Sequence, residues 1–123
     1  MRQEKDSMGV FDIPDDVYYG VQTARAIANF PISGIKADPD FIKASVYIKK
    51  AAAKVNADLN QLDKKLSEAI IKAADEVLSG KLSENFVVDV YQAGAGTSHN
   101  MNINEVLANR AAEILGSKKG DSK

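Results

Sequence analysis

A glycine-rich turn that leads directly into a helical pattern is the feature that most constrains the fold of this chain. The turn contains Gly94 and Gly96, and glycine lets a backbone adopt positive φ and approach a ligand closely. The next residues have apolar positions spaced by three and four, which predicts a helix that starts between Ser98 and Asn102 and runs to Leu115. Its apolar side consists of Ile103, Leu107, Ala111 and Ile114. A flexible loop must therefore lie at the start of a helix that packs on one side.

The same loop has the composition of an anion-binding site. Thr97 and Ser98 place hydroxyl donors directly after the glycines, and the start of a helix offers unpaired N–H groups and partial positive charge. Two simpler interpretations stay open, namely a loop with room to turn and Ser98 as a plain N-cap. Nucleotide-binding motifs are excluded, because no third glycine follows Gly96 at Rossmann spacing and no Gly-Lys-Ser/Thr run occurs.

A second side of the predicted helix is unusually rich in amides. Its residues follow each other at intervals of four, three and four: Ser98, Asn102, Glu105 and Asn109. Asparagine is a poor helix former, so these residues are either a solvent-exposed surface or a buried hydrogen-bonding face in which the glutamate holds the amides. His99 is assigned no catalytic role.

Composition narrows the function classes. With 123 residues, 45% hydrophobic and 27% charged, the chain predicts one soluble globular unit. A net charge of -1 gives no basic excess for holding nucleic acid. The absence of cysteine and the single histidine exclude a disulfide framework and a common zinc site. No apolar run approaches the ~18 residues of a membrane span, and the charged start differs from a signal peptide. We therefore expect no membrane partner and a cytoplasmic location.

The first third of the chain predicts short elements. Residues 1–7 are expected to be a mobile or edge segment. Residues 8–13 are expected to be a short strand or extended arm that ends before Pro14, because proline has no N–H to donate to a β-ladder. After two aspartates, the spacing of Val17, Val21, Ala24 and Ile27 predicts a short helix. It should stop before Pro31. Arg25 lies in this helix, and its position alone favours a solvated charge.

Two long helices are predicted to form a hairpin. The first has Asp38 as N-cap and Pro39 in its first turn, and the second runs from near Asp63 to Gly80, which suits a C-cap. The expected core-facing side of the first is Phe41, Ala44, Ile48, Ala52, Val55, Leu59 and Leu62. That of the second is Leu66, Ile70, Ala73 and Val77. These patterns predict amphipathic helices joined by a tight connection.

The remaining segments complete a mainly α domain. Residues 82–92 are rich in β-branched and aromatic side chains, which predicts an extended segment, at most a short strand, that leads into the glycine loop. Residues 117–123 form a polar tail. The expected fold is therefore a single domain, 1–123, with about four helices and a little extended structure.

Two long blocks resemble the aspartase/fumarase superfamily. The run GAGTSHNMNINEVLANRA is similar to its first signature block, and EKDSMG with IPDDVYYGVQTARAIANFPISG resembles the opening of its aspartase members, with the fumarase opening next nearest. The resemblance extends from Glu4 to about Asp121 and implies the N-terminal helical domain of that fold. It implies no metal and no organic cofactor. The implied substrate-binding residues are Thr97 first, then Ser98, Arg25 and Asn102, with Gly94 and Gly96 in the loop.

The resemblance also implies a reaction and a larger assembly. The parent reaction would be elimination of ammonia from L-aspartate to give fumarate, carried out by a longer homotetramer whose active sites each combine three subunits. The block with a Thr-His pair and the Gly-Ser-Ser loop that carries the catalytic base would follow Lys123. We therefore expect an N-terminal fragment that is inactive alone.

Two alternatives to an aspartase stay open. One is fumarate hydratase, whose loop more often reads Gly-Ser-Gly-Thr followed by Gln. Ala95 and Ser98 favour the aspartase members, whereas Ala93 departs from their usual glycine. The other is a free-standing helical interaction module without catalysis.

Overall fold

A β-hairpin is followed by four α-helices in the computed structural model, which describes residues 1–121. The elements are β1 (Arg2–Asp6), β2 (Gly9–Ile13), α1 (Val21–Asn29), α2 (Pro39–Asp58), α3 (Lys64–Leu78) and α4 (Thr97–Ile114), with one 3-10 turn at Ser83–Asn85. The predicted class, mainly α with four helices and little extended structure, is confirmed. No helix within these residues combines the length and apolarity that a membrane crossing needs.

The N-terminal residues form an edge strand of a two-stranded sheet. Of the two expectations for residues 1–7, the edge segment is therefore confirmed and the mobile segment is wrong. β1 pairs with β2 in antiparallel register, with Arg2 opposite Ile13. One side of the polar β1 is half-buried, because the Arg2 guanidinium donates to the carbonyls of Pro14, Val17 and Tyr19 at 2.8, 2.9 and 2.7 Å. A buried charge needs such partners, and hydrophobic periodicity does not reveal them. The strand expected at 8–13 is confirmed at Gly9–Ile13.

The predicted short helix begins four residues later than expected, at Val21 and not at Val17. Both main-chain groups of Tyr18 are bonded to distant side chains. Its N–H donates to Asn85 Oδ1 at 2.7 Å, and its carbonyl accepts from Asn109 Nδ2 at 2.7 Å. These bonds replace those of a helix and keep residues 17–20, which follow a turn at Asp15 and Asp16, out of the helix. The helix ends at Asn29, before Pro31, as predicted.

The start of α2 agrees with prediction, but the predicted core-facing side is wrong. Asp38 accepts a hydrogen bond from the Asp40 N–H at 2.8 Å, and Pro39 is the first helical residue. The buried residues are Ile42, Val46 and Ala53. Exposed instead are Phe41, Ala44, Ile48, Ala52, Val55 and Leu59, with Leu62 half-buried. The helix has two apolar sides roughly a third of a turn apart, and packing against α3 and α4 selects the smaller one.

The hairpin of α2 and α3 forms as predicted. Asp63 caps α3 by accepting from the Leu66 N–H at 3.0 Å, and Gly80 follows its end at φ 94°. On the expected inner side of α3, Ala73 and Val77 are buried. The other two residues of that side, Leu66 and Ile70, are half-buried.

Two clusters make the core, and α4 connects the larger one to the loop. The larger lies between α2, α3 and α4: Ile42, Val46, Ala73, Ala74, Val77, Phe86, Ile103, Val106 and Leu107. The smaller joins the hairpin to α1: Ile13, Val21 and Ala24. The predicted apolar side of α4 is confirmed, since Ile103, Leu107 and Ala111 are buried and Ile114 is half-buried. The loop therefore leads into a helix that is packed into the core.

Candidate functional site

The loop enters α4 through a left-handed glycine. The helix starts at Thr97, one residue before the expected range, and its N-cap is Gly96 at φ 80° and ψ 11°. A residue with a side chain rarely adopts that conformation. Ser98 is inside the helix, so its interpretation as an N-cap is wrong. Gly94 has no positive φ and no neighbour that would exclude a side chain, so only Gly96 is required by the backbone.

Hydrogen-bond donors without partners gather at this helix start. No side chain of the N-cap residue bonds the first turn. Within residues 1–121, neither the N–H groups nor the hydroxyls of Thr97 and Ser98 have an acceptor. Thr97 is exposed and Ser98 is half-buried. The loop thus presents two backbone and two hydroxyl donors at the positive end of an 18-residue helix.

The prediction of an extended segment over residues 82–92 is wrong at its start, where Leu82 is left-handed and Ser83–Asn85 form the 3-10 turn. The residues after this turn lead to Asp89, which pairs with Lys36 at the one isolated bridge found in residues 1–121. Asp89 is 7% exposed. Its carboxylate accepts from the N–H groups of Ser33, Gly34 and Tyr91 at 2.7 to 2.8 Å, and from the Ser33 hydroxyl at 2.9 Å. Burial by itself would raise the pKa of Asp89, but these four bonds hold it at about 2. The segment is therefore fixed three residues before Gln92.

The amide-rich side of α4 is a buried hydrogen-bonding face and not a solvent-exposed surface. Asn102 is 2% exposed. Its Oδ1 accepts from the Val87 N–H at 3.1 Å, and its Nδ2 donates to the Asn85 carbonyl at 2.8 Å. Asn102 thus positions the extended segment that leads to the loop. Its binding of substrate stays a prediction.

Two further residues of this face join α4 to other parts of the chain. Glu105 accepts from the N–H groups of Gln22 and Thr23 at 3.0 and 2.7 Å, and from the Thr23 hydroxyl at 2.6 Å. Asn109 Oδ1 accepts from the Gly120 N–H at 2.7 Å. The polar tail therefore folds back onto α4 as far as residue 121, while residues 122–123 lie outside the described residues.

Arg25 is engaged by the hairpin. Its Nε and Nη2 atoms lie 2.8 and 3.0 Å from the Asp6 carboxylate, and its guanidinium lies 5.1 Å from the centre of the Phe11 ring. The hydrogen bond from Arg25 is the main reason that the pKa of Asp6 is below its usual value. Arg25 is thus not a free solvated charge, and none of these contacts brings it to the loop. Its binding of a substrate carboxylate stays a prediction.

A cavity of about 230 Å³ opens beside the loop. The His99 ring stacks on Phe41 with centroids 4.4 Å apart, and its Nε2 lies 3.2 Å from Ser45 Oγ. Burial lowers the pKa of His99, which favours the neutral ring. The lining residues are Phe41, Val90, Gln92, Ala93, Gly94, Gly96 and His99. His99 thus ties the first turn of α4 to α2.

Sequence reasoning missed two residues that support this loop. Asp89 is an acid in an otherwise apolar extended run, and Gln92 is an amide shortly before the glycines. Each is a visible signal, because a polar residue in such a place needs a partner. No group of three or more His, Asp or Glu side chains is placed to share a metal ion in the described part of the chain.

Comparison with known proteins identifies the family. A family model described as "Lyase" matches residues 9–123. The chain belongs to this lyase family. A lyase-family relative from Bacillus sp., an aspartate ammonia-lyase, is 53% identical over 121 residues, which are 98% of this chain and 26% of the relative. A fumarate hydratase class II from Halobacterium salinarum is 54% identical over 120 residues, which are also 98% of this chain and 26% of the relative.

A solved lyase-family structure has the same fold. The crystal structure of fumarate lyase:delta crystallin from Brucella melitensis superposes with a TM-score of 0.95 at 50% identity, over 98% of this chain and 28% of that one. The aspartase/fumarase resemblance of the sequence is thereby confirmed. This lyase-family chain spans about a quarter of the length of the curated relatives that it matches.

Proposed function

We propose that this chain is the N-terminal part of an aspartate ammonia-lyase and that the loop at the start of α4 binds a carboxylate of the substrate. The observation that carries the proposal is the group of unpartnered donors on Thr97 and Ser98 at the start of α4. Helix starts with free N–H groups favour anions. The relatives named aspartate ammonia-lyase support the choice of reaction.

These donors suit the chemistry of an ammonia elimination. When a base removes the C3 proton of L-aspartate, negative charge builds on the neighbouring carboxylate. Donors that are already aimed at this developing charge lower the barrier, because they need no reorganisation during the reaction. The base would come from the rest of a longer polypeptide acting as a cytoplasmic homotetramer, so the 123-residue chain alone should be inactive. The elimination itself requires no metal or organic cofactor.

Fumarate hydratase is the second candidate. The Halobacterium salinarum relative is as similar to the chain as the Bacillus sp. one, at 54% and 53% identity. Both candidate reactions have fumarate as product or substrate, so a loop that binds its carboxylate serves either. Ala95 and Ser98 favour the aspartase side.

The test is a comparison of two substrates. The reading frame that encodes this sequence is expressed at its full length, and fumarate is followed by its ultraviolet absorbance with L-aspartate or L-malate. We expect fumarate from L-aspartate only and no turnover by the 123-residue chain. Fumarate from L-malate only would establish the second candidate, and no fumarate from either would contradict both.

The contribution of the loop is tested separately. Thr97→Val keeps the shape of the side chain and removes its donor, so it should lower kcat/KM by roughly ten- to a thousandfold, the range of a hydrogen bond to a charged group. Ser83→Ala, which removes an exposed hydroxyl away from the loop, is the control and should have no effect. Equal kinetics of both variants would show that the Thr97 hydroxyl does not bind substrate.

A further inference from the structure

Gln92 spans the glycine loop with its side-chain amide. Its Nε2 donates to the Asp89 carbonyl at 3.0 Å, and its Oε1 accepts from the His99 N–H at 2.7 Å. One planar group thus connects the segment before the loop to the first turn of α4. Glutamine can do this because its amide carries a donor and an acceptor together.

The N–H group that Gln92 takes is the third of α4. An ordinary N-cap side chain bonds the second or third N–H from the N-cap position itself. Here Gly96 occupies that position and has no side chain, and the acceptor comes instead from Gln92, four residues earlier. The helix start is capped while the N–H groups of Thr97 and Ser98 stay without an acceptor in the described residues.

Both ends of this bridge are fixed. Asp89 is held through its carboxylate by four hydrogen bonds, and the His99 ring is held by Phe41 and Ser45. Between them, residues 93–95 are exposed. Across residues 1–121, the other bond within the loop is the Gly96 N–H to the Ala93 carbonyl, at 3.0 Å. Gln92 is therefore the side chain that sets the distance between the two ends.

We infer that Gln92 is a positioning residue, which holds the loop so that the Thr97 and Ser98 donors converge on one carboxylate; this inference rests on the proposed binding function of the loop. Gln92 does not touch the ligand itself. Without the bridge, the first turn of α4 frays and the donors are no longer preorganised. The affinity for a dicarboxylate then falls while the packed core is unchanged.

The experiment uses the full-length protein that the reading frame encodes, with fumarate as probe. Calorimetric titration with fumarate reports binding, and hydrogen exchange at the His99 amide, followed by mass spectrometry of short peptides, reports the bridge. Gln92→Met removes both hydrogen bonds at similar volume, so His99 exchange should accelerate about tenfold, as expected for the loss of one hydrogen bond. The fumarate Kd should rise at least about fivefold.

Two further variants separate the possible causes. Gln92→Glu keeps the acceptor for the His99 N–H and loses the donor. Exchange of the His99 amide should therefore stay near that of the unsubstituted protein, while the added charge weakens fumarate binding. Gln61→Met changes an exposed glutamine in the connection of α2 and α3 and should alter neither quantity. The unfolding midpoint of each variant checks that the core is intact.

The outcomes distinguish the two proposals. If Gln92→Met accelerates His99 exchange but fumarate binds as before, Gln92 caps the helix only and its positioning role is overturned. If exchange is also unchanged, the bridge itself is contradicted. If fumarate does not bind the unsubstituted full-length protein, the proposed binding function fails first and takes the inference with it, whatever His99 exchange shows.

Discussion

The carboxylate of Glu105, in the middle of α4, accepts hydrogen bonds from both the N–H and the hydroxyl of Thr23 at the start of α1, at 2.7 and 2.6 Å. Thr23 is fully buried. The N-cap position of α1 is Gly20, which offers no side chain. Glu105, which lies 82 positions after Thr23, therefore performs the capping, and it fixes α1 and the hairpin against α4.

Replacement of Glu105 by glutamine should destabilise the chain. One carboxylate oxygen becomes an NH₂ group that faces the backbone N–H groups of α1, so we expect the free energy of unfolding to fall by about 1–3 kcal/mol. Urea denaturation measures this change. Glu84→Gln, at an exposed glutamate of the 3-10 turn, is the matched control, and equal stability of the two variants would disprove the capping role.

Gly20 should not tolerate a side chain. A Cβ atom here would clash with Oε2 of Glu105 and lie 2.9 Å from Oε1 of Glu4. Gly20→Ala should therefore cost about 1–3 kcal/mol, the usual range for overpacking. The cost should shrink in a Glu105→Ala background, since the side chain that it meets is gone. A double-mutant cycle by urea denaturation measures this coupling, and a cost that stays the same would mean that another contact excludes the side chain.

The two apolar sides of α2 should respond differently to one substitution. Val46 is 0% exposed and Val55 is 53% exposed, so each provides the control for the other. Val46→Ala should lower the free energy of unfolding by about 1.5–3 kcal/mol, and Val55→Ala by less than about 0.5 kcal/mol. Thermal and urea unfolding of the two variants measure these changes. A larger loss of stability at Val55 would mean that the side of α2 predicted from the sequence is the one that faces the core.

Acid should loosen the segment that holds the loop. The pKa of Asp89 is about 2 in the folded chain, against an ordinary value of 3.8. Between these values the unfolded chain binds more protons, so the stability from Asp89 is present above about pH 4 and is lost as the pH falls through about 2. Asp89→Asn should make the unfolding midpoint less dependent on pH from 4 to 2. Asp58→Asn, at the exposed end of α2, is the control, and the same acid dependence in both variants would contradict the role of Asp89.

Local signals in the sequence determined much of this fold. Asp38 and Asp63 cap α2 and α3, and Gly80 follows the end of α3, as predicted. The start of α4 is within one residue of the expected range. Caps, prolines and glycines act on residues within about one helical turn, so the chain itself carries this information. The superfamily could also be recognised from the sequence, because each of its two signature blocks is a continuous run of residues.

Only the tertiary structure decided which partners these elements meet. The sequence gives α2 two apolar sides, and contact with α3 and α4 buries the one with Ile42 and Val46. The polar strand β1 depends on the carbonyls that Arg2 bonds 12 to 17 residues away. The amides of α4 became a buried face because Val87, Tyr18 and Gly120 present main-chain groups to them. Such partners are distant along the chain. Their hydrogen bonds form only once packing has brought donor and acceptor together and excluded water from both groups.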